Sequence, residues 1–147
     1  MQTFKEVRNG LRTAYGNATR EGNERKKKAV RAVVKHLLEV TPVDTTKAMS
    51  NWLVGIGQPQ KVELEARVEG EGGSSKAASA AATYAETDRL IRTVKAGQTV
   101  YITNNTPYIG RLNAGSSSQA PAGFIEGAGL IGREVLKEPS GWSKRGG

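Results

Sequence analysis

No cysteine occurs among the 147 residues, so disulfides and thiolate chemistry are both excluded. There is a single histidine, His36, which leaves no His/Cys set for a metal and no imidazole partner that spacing would place beside a nucleophile. Aromatic residues make up only 5%, and none interleaves with the basic residues as base stacking would need. No apolar run approaches the ~20 residues of a membrane-spanning helix. No apolar segment follows the N-terminal charges as in a secretory signal, so synthesis in the cytoplasm and no membrane partner are expected. Catalytic sites need convergent titrating groups. Asp44 and Asp88 stand far apart, and Ser116, Ser117 and Ser118 have no base near them in sequence. The expectation is a protein that is not an enzyme and uses no cofactor.

What the chain does have is glycine, 18 residues of it, and a net charge of +8. Glycine in that quantity, with 37% hydrophobic residues, predicts a modest core and many loops. Residues 1–47 carry eleven Lys or Arg against five acids, while residues 98–147 carry five against three. The one dense basic cluster is Arg25-Lys26-Lys27-Lys28. It is a candidate DNA-facing patch, although Glu21 and Glu24 lie within a helical turn of it and would solvate it as an ordinary charged face.

Periodicity supplies the elements. Phe4, Val7, Leu11 and Tyr15 fall at helical spacing and predict a short amphipathic helix over 1–16. Val30, Val33, Leu37 and Val40, widened by Val34 and Leu38, form the apolar stripe of a long helix over 17–40, ended by Pro42. A strand over 52–56 and a strictly alternating strand over 61–69 read as a hairpin across Gly57-Gln58-Pro59. A helix spans 76–94 and another follows Pro121. Between them, Val100 and Ile102 alternate with Tyr101 and Thr103 in the central strand.

That strand ends at Asn104-Asn105, where short amides bond nearby backbone. Pro107 suits a helix start, so a two-turn helix is expected to Ala114, closed by Gly115. Asn105, Pro107 and Tyr108 should therefore form a structural corner that aims the polar loop after Gly115. Tyr108 and Leu112 share a face and pack inward, which turns Arg111 outward. Arg111, Ser116, Ser117, Ser118 and Gln119 are the candidate interface residues. The glycine-rich loop 70–75 is a second expected interface; it lacks the Gly-Lys-Ser/Thr of a phosphate loop.

The fold class expected from these elements is α+β. A small antiparallel sheet of about three or four strands should have helices packed on one face, with the long N-terminal helix among them. One domain over 1–138 and a loose basic tail over 139–147 complete the layout.

The run Asn104-Asn105, Pro107-Tyr108, Arg111-Leu112, Gly115-Ser116, Ser118 to Pro121 and Gly123 resembles the signature of the tail-completion proteins (tail terminators, neck proteins) of long-tailed bacteriophages. Thr41-Pro42-Val43-Asp44-Thr45, followed by Asn51-Trp52, is similar to that family's first motif. Thr46 stands where the family usually has glycine, and Asn113 where an acid is common. The resemblance implies a virion structural protein made in the host cytoplasm, a homo-oligomeric ring with six subunits as the expected number. Its implied neighbours are the tail tube protein and the head-tail connector proteins, with double-stranded DNA passing through the lumen without sequence specificity. Composition on its own equally fits a small basic nucleic-acid-binding protein.

Overall fold

A computed structural model describes residues 5–7, 10–15, 20–41, 46–67, 75–107, 109 and 124–137. In chain order the elements are β1 (Lys5–Val7), β2 (Gly10–Tyr15), α1 (Arg20–Val40), α2 (Thr46–Ser50), β3 (Leu53–Ile56), α3 (Lys76–Ile91), β4 (Val100–Asn104) and α4 (Phe124–Lys137). This is a mixed α+β arrangement around a small antiparallel sheet, with strand order β1-β2-β4-β3.

The apolar stripe of α1 behaves as its spacing requires: Val30, Val33, Val34, Leu37 and Leu38 are all buried. The helix ends where the chain meets Pro42, and there the Thr41 N–H and hydroxyl both donate to the Leu37 carbonyl. On the sheet, Val54 lies opposite Ile102 and Ile56 opposite Val100. Val54, Val100 and Ile102 join the α1 stripe, Met49, Trp52, Ile91 and Val94 in one core. Among the described side chains of α4, Ala128 lies in this core and Leu136 packs against it, and Gly129 and Gly132 are buried. Side chains this small let α4 come close to α1. At about 25 cal/mol per Å² of apolar surface, such a core is the principal favourable term in folding.

Two sequence expectations are corrected. The first is the helix over 1–16, where the chain forms strands β1 and β2, with Val7 opposite Gly10 across a two-residue connection. The apolar spacing of three and four fits a helix, but five residues of β2 pair with β4. Long-range pairing outweighs local periodicity here.

The second is the 52–56/61–69 hairpin. The partner of β3 is β4, and the ladder is prolonged by the Gly57 N–H donating to the Thr99 carbonyl at 2.8 Å. Gly57 turns with φ +81°. The chain then folds back over the sheet rather than alongside it. A Cβ on Gly55 would meet the Gln58 carbonyl oxygen at 2.2 Å, a closeness only glycine permits. From Lys61 to Arg67 the chain stands in no ladder.

Candidate functional site

The best-built polar feature is the corner at the end of β4, together with the strap over 58–67 that it holds. Asn104 is fully buried. Its amide donates to the Ala48 carbonyl at 2.8 Å, and its carbonyl oxygen accepts from the Thr106 N–H at 3.1 Å and the Thr106 hydroxyl at 2.6 Å. A buried amide with donor and acceptor both engaged fixes one conformation, because the alternatives leave polar groups unpaired. The Ile109 N–H then donates to the Thr106 carbonyl, carrying the turn on to a fully buried Ile109.

Asn105 does a different job from the expected one. Its amide nitrogen donates to the Gln60 and Val62 carbonyls, each at 2.9 Å, so it grips the strap rather than the strand end. At the other end of the strap, the Asn51 side chain acts as a stand-in for a strand. It donates to the Leu64 carbonyl at 2.8 Å and accepts from the Leu64 N–H at 2.7 Å. The Arg67 N–H donates to the Ser50 hydroxyl, and the Arg67 Nε–H to the Ser50 carbonyl. Trp52, buried in the core, donates from Nε1 to the Thr41 hydroxyl at 2.9 Å.

These bonds join two stretches that are far apart in sequence. The run from Thr41 to Trp52 and the run beginning at Asn104 meet through the Asn104–Ala48 bond, 56 residues apart along the chain. Pro107 is exposed at the turn that follows. Tyr108, Arg111, Ser116, Ser117, Ser118 and Gln119 lie outside the described residues, as do the loop over 70–74 and the tail over 138–147. Asn51 and Asn104 are the residues whose structural weight the sequence reading missed; the signal was a short amide directly beside a strand end.

The basic cluster divides. Lys26 was expected with the DNA-facing residues and is corrected: it is 1% exposed, and its ammonium donates to the Gln98 carbonyl. Burial, then the neighbouring charge of Lys27, holds its pKa below the usual lysine value. The reason is helical geometry, since Lys26 falls on the same side of α1 as Asn23 and Val30, where Asn23 also donates to the 94–98 turn at Val94. Lys27 pairs with Glu24 at 3.6 Å, Arg25 is half-buried and Lys28 is exposed. Asp88 takes Arg31 of α1 at 2.9 Å and Arg92 at 2.6 Å, so it fastens α1 to α3. His36 is half-buried on α1.

Two hollows flank these elements. One, of about 170 Å³, lies under the strap between Leu53, Leu64, Arg67, Thr87 and Leu90. The other is a shallow groove of about 620 Å³ between α1 and α3, floored by Leu38, Ala77, Ala80, Ala81 and Tyr84. Among the described residues no three His, Cys, Asp or Glu are grouped as a metal would need, and no helix is long and apolar enough to cross a membrane. Comparison with models of known protein families, with curated proteins and with solved structures returned no match.

Proposed function

We propose that the chain is a structural subunit of a bacteriophage virion, of the tail-completion or terminator kind, that assembles as a ring between the tail tube and the head connector. The observation that carries this reading is the meeting of its two motif-bearing runs. The buried Asn104–Ala48 bond makes them one rigid unit, from which the chain leaves toward Arg111 and the 115–120 loop. A ring needs a heterologous contact, in which one surface of a subunit meets a different surface of the next. A corner held by buried hydrogen bonds suits that geometry.

The rival reading, a basic nucleic-acid-binding protein, loses support from the same helix. Of Arg25, Lys26, Lys27 and Lys28, only Lys28 is classed as exposed, and a salt-dependent phosphate grip draws on several exposed cations at once. Duplex DNA would instead pass through the ring. Negative-stain imaging of the purified full chain tests the proposal: annular particles with an open lumen are expected, and a field of compact single subunits at high concentration would refute it.

A further inference from the structure

Side chains of Ser50, Asn51 and Asn105 fasten the strap, and Lys47 pairs with Glu63 at 2.9 Å. Held in this way, the strap does not close on α3. The hollow of about 170 Å³ is what remains, walled by Leu53 of β3, Leu64 of the strap and Leu90 of α3. An apolar cavity of about 150 Å³ accepts benzene, so the space suits one six-membered ring.

Two donors on the wall of this hollow lack an acceptor. A helical threonine commonly returns its hydroxyl to the carbonyl four residues back. Thr83 does so, donating to the Ser79 carbonyl at 2.8 Å. Thr87, one turn on and only 2% exposed, makes no hydrogen bond through its hydroxyl among the described residues. The second donor is Arg67. Its Nε–H goes to the Ser50 carbonyl, but no hydrogen bond engages its terminal nitrogens among the described residues. Glu86 also lines the hollow and feels the Arg67 charge, yet Arg89 donates to both of its oxygens, at 2.9 and 2.6 Å. That leaves Arg67 as the uncompensated charge at the rim.

We infer that this hollow binds a small organic monocarboxylate, its ring-sized apolar body between Leu53, Leu64 and Leu90 and its carboxylate accepting from Arg67 and Thr87. Guanidinium and carboxylate match as a charge-assisted pair, which sets this ligand class apart from neutral molecules of the same size. The strap is part of no ladder, so admitting the ligand breaks no strand pairing. The inference stands apart from the ring reading and needs no second subunit.

The test titrates the full chain with benzoate and, separately, with benzyl alcohol, following backbone amides by NMR. Benzoate should shift Leu64, Thr87 and Leu90 to saturation and leave Lys35, which lines the other groove, unmoved. Benzyl alcohol offers the same ring without the charge and should bind about tenfold more weakly, as the loss of a charged hydrogen bond implies. Arg67→Gln should bring benzoate down to the level of benzyl alcohol, and Thr87→Val should weaken it as well. The comparison of the two compounds on the parent chain decides the matter even where a variant melts early. Saturable shifts from neither compound would mean that the hollow holds water alone, and equal affinities would mean that the rim charge is not read; either result overturns the inference. Benzoate shifts that never saturate and spread over the surface would show only general attraction to a chain of net charge +8, and would overturn it too.

Discussion

Replacing Asn104 by alanine should be the most damaging single polar truncation in the described structure. The side chain is fully buried and makes three hydrogen bonds. The Ala48 carbonyl keeps the Asn51 N–H as a partner, so its loss is partial. The Thr106 N–H and hydroxyl lose their acceptor in a site with no exposure. At about 1–3 kcal/mol for each buried polar group left unpaired, two orphans give about 3 kcal/mol of destabilisation. For a domain of this size that corresponds to a fall in Tm of roughly 6–12 °C. Calorimetry on Asn104→Ala, Thr106→Val and the double variant separates the terms. The double variant should cost about 1 kcal/mol less than the sum of the two, because the orphaned hydroxyl is then gone. A Tm within about 2 °C of the parent for Asn104→Ala, outside the range that one to three kcal/mol implies, would refute the claim that this amide holds the corner.

Lys26→Glu should destabilise by about 3 kcal/mol or more by burying an unmatched charge, whereas Lys28→Glu should stay within about 0.5 kcal/mol, as denaturant titration would record. The depressed pKa of Lys26 means the unfolded chain holds that proton more tightly. Stability of the parent relative to Lys26→Met should therefore rise with pH from the folded-state pKa up to the ordinary lysine value, and a falling difference would contradict burial. Gly55→Ala should cost about 1–3 kcal/mol or more, because its Cβ would lie 2.2 Å from the Gln58 oxygen; equal melting curves would show that the strap shifts freely. Asn51→Ala should speed amide exchange at Leu64 while leaving Ile102 protected, since it frees the strap and not the sheet; unchanged exchange at Leu64 would remove Asn51 from that role.

Helices α1 and α3 and the strand β4 were legible because each carries its own local pattern: the Val/Leu stripe, the alanine run and the branched alternation ending at Asn104. The β1–β2 pair was not, since its apolar spacing satisfied a helix and the decisive partner, β4, lies about 90 residues away. The strap deceived for the opposite reason. Its alternation is that of a strand, but the ladder was pre-empted by three amide side chains, of Asn51, Gln60 and Asn105, and by a fold-back that only Gly55 permits. Lys26 was misjudged because a basic run was taken as a face, while a helix distributes four consecutive residues around its whole circumference. Of the corner, the turn at Asn104-Asn105 was read, but the division of labour between the two amides depends on Ala48 and the strap, which no local window contains.

Native mass spectrometry of the purified full chain over a range of concentrations tests the ring most directly. The expected result is a single closed stoichiometry that persists on dilution and is lost on charge reversal at Arg111. A monomer at every concentration, or an open series of sizes with no preferred number, would contradict the ring.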